Sequence, residues 1–240
     1  SVAIASGCYG VQLWVRRTAN FQSQGVYRKT PRLMAVVGCI KNVLLICVVG
    51  HAPIEAADNA TKQTFWDEVI RFILELRGRY CNAYTLLFID ANAKLGSICS
   101  YCVGDVEADK ESDNGHLFHN SLAATGLRAV NTFHLAGHTW TSSSGRMWRL
   151  DYVGADVVLN TYVESCYVDT DVDLTLRKFE DHRALVVTFK NVPAMGSMAE
   201  ATCKKPARRI NKFNMNDEQR CQKFQDLLWK FQRRENEDMD

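Results

Sequence analysis

Four short clusters in this chain put polar groups where an apolar run ends, which is where loops expose side chains for chemistry. In Phe88-Ile89-Asp90-Ala91-Asn92 a carboxylate and an amide share one face of an extended segment. The acid could hold a hard cation or orient a water, and the amide could hold a phosphate oxygen. Glu180-Asp181-His182-Arg183 stands just before the apolar run Ala184–Phe189. An acid beside a histidine can bind metal or act as a base near neutral pH. In Trp148-Arg149-Leu150-Asp151-Tyr152-Val153 an acid interrupts an apolar strand. A buried carboxylate needs a partner, and a histidine ring suits it, because the acid fixes the ring's tautomer. His138-Thr139-Trp140-Thr141 and His51-Ala52-Pro53 add hydroxyls and rings. Taken singly, each cluster is equally well served by an Asx turn, a charged loop or ordinary core. Their order along the chain carries more weight.

The elements that must position these residues are legible in outline. Val11–Val15 alternates as a half-buried strand does, and Met34–Ile40 and Val43–Val49 are apolar runs around a Lys41-Asn42 turn. Thr61–Arg79 places Phe65, Trp66, Val69, Phe72, Ile73 and Leu76 at helical spacing. Tyr84–Ile89 reads as a buried strand running into Asp90, and a polar loop, Lys94–Asp113, follows. Asp113 or Asn114 is expected to cap a short helix closed by Gly126. Strands are expected near Leu127–Asn131, Thr139–Thr141, Leu150–Val153, Val157–Leu159 and Ala184–Phe189. Strands that outnumber helices and follow one another closely predict an α/β core of packed sheets with helices outside.

Composition narrows the classes. With 47% hydrophobic and 23% charged residues, the chain has the makeup of a globular protein. No apolar stretch approaches the roughly 18–20 residues a membrane-spanning helix needs. A net charge of +2 excludes a global field for nucleic acid, so any such contact rests on local patches. The nine cysteines form an odd, scattered set without a secretory leader, which predicts reduced thiols. Cys99-x-x-Cys102 with His116-x-x-His119 approximates a zinc-finger spacing, though the histidine gap is one residue short. Past Asn191 the chain turns small and polar, then basic over Lys204–Lys212, then amphipathic over Asn216–Glu235 with Phe224, Leu227, Leu228 and Phe231 on one face. Two units are therefore expected, 1–192 and a 193–240 linker with a helix.

His-Ala-Pro, a helix, a strand into Asp-x-Asn, His-Thr-Trp-Thr, Trp-Arg-Leu-Asp-Tyr and Asp-His before the last strand occur here in that order. This series resembles the endonuclease/exonuclease/phosphatase superfamily, most closely the apurinic/apyrimidinic-type endonuclease domains of non-LTR retrotransposons. Ile89-Asp90-Ala91-Asn92-Ala93-Lys94-Leu95-Gly96 and Asn131-Thr132-Phe133 look like the retroelement forms of the family's motifs. The resemblance runs from about residue 7 to residue 190 and implies a four-layer α/β/β/α sandwich. It further implies Mg²⁺- or Mn²⁺-assisted hydrolysis of a DNA phosphodiester, with strand nicking that leaves a 3′-hydroxyl. By motif, Asp90 would position or activate the attacking water, Asn92 would hold it or a phosphate oxygen, and Asp181 would serve the metal. His182 would contact the scissile phosphate with Asp151 orienting it, and His51 and Thr139 would contact the nucleic acid. Trp140, Trp148 and Leu150 would wall a pocket for an extruded nucleotide.

The chain opens at Ser1 within a strand-like segment, and the resemblance implies that the family's first two strands, with an early Asn and the principal Glu ligand, are missing. Glu55 and Glu68 follow the wrong segments to replace that ligand. Glu180 stands where the family commonly has Ser, and His51 where it has Tyr. An inactive nucleic-acid-binding or interaction domain and a phosphatase of the same superfamily stay open. A reverse transcriptase downstream and an intracellular, nuclear location are what the retroelement resemblance implies.

Overall fold

The apolar runs lay down a mixed sheet that carries the site on one rim. The computed structural model describes residues 10–172 and 182–194. Strand β1 (Gln22–Thr30) pairs antiparallel with β2 (Leu33–Ile40), which pairs antiparallel with β3 (Val43–His51). The tight link between β2 and β3 follows from turn chemistry: Lys41 and Asn42 both adopt positive φ, at 47° and 67°, as a two-residue hairpin loop requires. Helix α1 (Asn59–Arg79) then carries the chain back so that β4 (Tyr84–Asp90) joins β3 in parallel. After helix α2 (Asp113–Thr125) come β5 (Leu127–Ala129), the small hairpin β6 (Trp140–Thr141) and β7 (Met147–Trp148), and β8 (Asp151–Asp156). The sheet order is β1-β2-β3-β4-β8-β5. A single helical turn, α3 (Val157–Asn160), leads to β9 (Val163–Asp169), which pairs antiparallel with β10 (Ala184–Phe189).

Strand alternation sends the two faces of the large sheet to two cores. One face, with Leu33, Val37, Ile46, Val48, Leu87, Ile89 and Tyr152, packs under α1 and α2. The buried stripe of α1 (Phe65, Trp66, Val69, Phe72, Ile73, Leu76) follows the expected period. Trp66 stacks on Phe118 at 4.9 Å, and Phe118 meets Tyr152 edge-on at 5.2 Å. The other face, with Cys47, Leu86, Phe88, Val153 and Ala155, packs against Cys166 of β9 and Leu185, Val187 and Phe189 of β10. The described residues thus form three layers in sequence: helices, a six-stranded sheet and a two-stranded sheet. Among them no helix is long and apolar enough to cross a membrane.

Several local expectations give way. Val11–Val15 forms no ladder, although Val11 is buried against Met34 and Val36 as its alternation requires. Val157–Leu159 is a helical turn, because the strand before it ends where the Asp156 carboxylate turns back to bind Arg77 and the Thr85 backbone N–H. Ser112 caps α2, its Oγ accepting from Gly115 N at 3.1 Å, ahead of the Asp113 or Asn114 expected. The polar strand β1 carries no apolar alternation, being held by backbone pairing to β2 at the sheet edge. Residues 195–240, with the expected linker, basic run and amphipathic helix, lie outside the described residues.

Arg77 joins α1 to the sheet through the Asp156 carboxylate and to the end of α2 through the Thr125 carbonyl. Burial pushes the Asp156 carboxyl up while Arg77 pulls it down. Replacing Arg77 by Met leaves that carboxylate buried without its cation. Urea unfolding should show a loss of about 2–4 kcal/mol, below the cost at a fully buried pair because both groups keep some solvent.

Candidate active site

The parallel pairing of β3 with β4 brings both C-terminal strand ends to the same rim, and antiparallel β8 brings its first residue there too. In the ladder His51 stands opposite Asp90, and Asp90 opposite Asp151. Directly opposed residues point to the same face of a sheet, so these three side chains form a row across three strands. Their face is the one that meets β9 and β10, and His182 reaches it from the start of β10.

His182 Nδ1 lies 2.9 Å from Asp151 Oδ2, and His51 Nε2 lies 3.6 Å from Asp90 Oδ2. The Asp151–His182 pair is the acid–ring partnership expected from the sequence. Burial, followed by the neighbouring Asp151 charge, pushes the Asp90 carboxyl up to about 6, with His182 pulling the other way. The His51 ring is pushed below its ordinary value by burial first, then by the positive Arg32 and by His182. At neutral pH it is a neutral imidazole.

Asn92 follows Asp90 in a left-handed conformation, φ 45°, which Asn tolerates better than most residues. Its backbone N–H donates to Asp90 Oδ1 at 3.0 Å, and its side-chain Nδ2 donates to Ala52 O at 3.0 Å. The amide oxygen and the second amide hydrogen of Asn92 are not taken up by these two bonds. Ala52 N in turn donates to Asp90 O at 2.8 Å, so the loops leaving β3 and β4 are tied together.

Thr139 is fully buried, and its Oγ accepts from Leu150 N and Asp151 N at 3.0 Å each. The hydroxyl expected at the nucleic acid is instead turned inward, where it anchors the start of β8. Trp140 and Trp148 face each other across β6 and β7 and stack 5.2 Å apart, only 4° from parallel. They are half-buried, and their rings stack on each other rather than standing apart. They form a platform, with Lys94 Nζ 3.7 Å above the Trp148 ring, half-buried Leu150 following in sequence, and Trp140 bridged to His182 through the backbone. Lys94 escaped the sequence reading because nothing in its local pattern marks a cation that reaches an aromatic face from another loop.

Among the described residues, Asp90, Asp151 and His182 bring one donor atom each within 4.8 Å of one another. Hard carboxylate oxygens suit Mg²⁺ or Mn²⁺, and the raised Asp90 carboxyl marks negative charge that a cation would relieve. Asp181 and Glu180 lie outside the described residues. Glu55 is occupied elsewhere, receiving Asn114 N at 3.3 Å and lying 3.9 Å from the Lys62 ammonium. The zinc-like quartet does not assemble. Cys102 Sγ contacts Ser100 Oγ, which also meets His119 Nε2 at 2.7 Å, while Glu111 faces both histidines and Cys99 turns to Gly96 O.

The chain matches no known protein-family model, and no curated protein matches its sequence. Solved structures do match its architecture. A 3′ phosphatase, NExo, from Neisseria, bound to a product DNA hairpin, shares 17% identity at a TM-score of 0.50, covering 71% of this chain and 72% of that one. The 3′-5′ exonuclease NExo from Neisseria meningitidis shares 19% at 0.51, over 70% and 71%. The endonuclease domain of TRAS1, a telomere-specific non-LTR retrotransposon, shares 16% at 0.50, over 69% and 68%. The chain shares its DNase I-like fold with these structures.

Proposed function

We propose that a chain with this fold is a divalent-metal-dependent nuclease domain that nicks DNA, of the kind carried by non-LTR retrotransposons. The observation that carries the reading is the row His51–Asp90–Asp151 with His182 paired to Asp151, at one rim where three strands end. Asp90 and Asp181 would hold Mg²⁺ or Mn²⁺. When bound, the cation would polarise the phosphate and stabilise the leaving oxygen.

The remaining work falls to this chain's own side chains. Asp90, with a carboxyl poised near 6, is ionised at neutral pH and still basic enough to take a proton from the attacking water. Asp151 holds His182 by Nδ1, and its charge would support a protonated ring whose Nε2–H donates to an oxygen of the scissile phosphate. The free amide hydrogen of Asn92 and the neutral His51 ring add donors where charge develops. The Trp140–Trp148 platform offers a face for a base, with Lys94 beside it for the backbone. A reverse transcriptase partner and a nuclear setting belong to the same reading.

The test is nicking of supercoiled plasmid by the full chain. Open circles should appear with Mg²⁺ or Mn²⁺ and not with EDTA, and their 3′ ends should prime a polymerase. Salt-sensitive binding without nicking would return the chain to an inactive binding domain. Release of phosphate from soluble phosphomonoesters without nicking would make it a phosphatase.

A further inference from the structure

Asn114 belongs to none of the chemistry above, yet it is the most heavily bonded side chain beneath the site. It is fully buried in the first turn of α2. Its Oδ1 accepts from Trp66 Nε1 at 2.6 Å, and its Nδ2 donates to Pro53 O at 2.9 Å, Ala91 O at 3.0 Å and Asn92 O at 3.1 Å. Pro53 lies in the loop that leaves β3 after His51, and Ala91 and Asn92 in the loop that leaves β4 after Asp90. One amide thus grips both loops that carry candidate site residues, from the side away from the substrate.

The partners decide which way the amide faces. An indole N–H can only donate, so Trp66 requires the amide oxygen, and the NH₂ must then face the three carbonyls. Reversal would set the amide oxygen against three carbonyl oxygens and the NH₂ against the indole, in a place without water to compensate. Trp66 is itself locked, stacked on Phe118 and nearly without exposure. A rigid core aromatic therefore orients an amide, and the amide sets the spacing of two loops whose sequences are far apart.

We propose that Asn114, oriented by Trp66, is a positioning residue that clamps the His51 and Asp90–Asn92 loops into one unit. Its catalytic part rests on the nuclease reading above. The clamp contributes register alone and touches no substrate. Asn92 depends on it most, because its left-handed backbone is gripped at its carbonyl by Asn114, at its N–H by Asp90, and through its side chain by Ala52. Outer-shell partners of this kind typically matter by about 10- to 100-fold.

Asn114→Ala deletes four bonds in a closed space and puts folding itself at stake. Trp66→Phe is the sharper variant, since it keeps an aromatic ring against Phe118 and removes the donor that orients the amide at the cost of a small cavity. Two readouts are taken on the full chain. Hydrogen exchange at the Ala52 and Asn92 amides should accelerate together, with the β2–β3 ladder unchanged. The nicking kcat should fall about 10-fold or more with KM nearly constant. Unchanged exchange in either loop, a uniform loss of protection across the protein, or loosened loops with full kcat would each overturn the proposal. If the unaltered chain does not nick, the nuclease reading fails, and the exchange result alone decides whether the clamp exists.

Discussion

Replacing Asp151 by Asn should cut plasmid nicking by about 10²- to 10⁴-fold, with little change in KM and no loss of stability. The reasoning starts from the 2.9 Å contact between Asp151 Oδ2 and His182 Nδ1. A carboxylate only accepts, so it pins a proton on Nδ1, and its charge would steady a positive ring whose Nε2–H meets the phosphate. An amide of the same shape can turn its NH₂ to Nδ1, which must then be unprotonated, so the ring is neutral. If it turns its oxygen instead, the charge beside the ring is lost. Either way the ring stays in place while its chemistry changes. Folding should survive because what anchors residue 151 is its backbone N–H on the buried Thr139 hydroxyl, and that does not depend on the side chain. Steady-state nicking rates beside a thermal melt would check both halves, and a variant that nicks at the original rate would remove His182 from the mechanism.

Replacing Asp90 by Asn should stabilise the protein at neutral pH while ending its activity. Asp90's carboxyl stands at about 6 in the fold against an ordinary 3.8. A raised acid binds its proton more tightly when folded, so its contribution is fully present below pH about 4 and is lost as pH climbs to about 6. Above that, the ionised group works against the fold by at most about 3 kcal/mol, less because the side chain keeps 23% exposure. Asn removes the charge and can still accept from the Asn92 N–H. The melting temperature at pH 7.5 should therefore rise by roughly 3–8 °C, and the variant should lack the stability gain seen on acidification from pH 6 to 4. Added Mg²⁺ should narrow the gap by raising the unaltered protein alone. A variant that melts at the same temperature across this pH range would mean that Asp90 is not under the stated burden.

The residues now gathered at the rim were visible in the sequence because each stands where an apolar strand meets an acid or a ring. Asp90 and His51 end such strands, Asp151 starts one and His182 just precedes one. Continuous apolar runs likewise sufficed for β2, β3, β4 and β10, and the period of 3.6 for α1. What escaped was whatever is held from outside its own segment. Strand β1 is polar and exists through its ladder to β2, and β9 exists through β10. The helical turn at Val157–Asn160 is too short for any period to separate from a strand. Thr139 looked like a surface hydroxyl because the groups that donate to it are backbone N–H groups eleven and twelve residues later. Asn114 looked like a capping residue, and its bonds to Trp66, Pro53, Ala91 and Asn92 come from elements that meet only in the folded sheet. Local patterning reveals where a side chain leaves an element, and tertiary pairing decides what it then faces.

The row across β3, β4 and β8, completed from β10, has a kinetic consequence. None of its members is near another in sequence, so every contact in it closes a long loop, and loops of this kind are formed late and slowly. As the chain leaves the ribosome, α1 and the β2–β3–β4 sheet can fold around a rim holding only His51 and Asp90. Asp151 arrives after the α2 unit, and His182 after nearly everything else. The full row would then assemble abruptly once the β10 segment has emerged, and a chain stopped before that point would keep much of its core while its Asp90 stood without the Asp151–His182 pair.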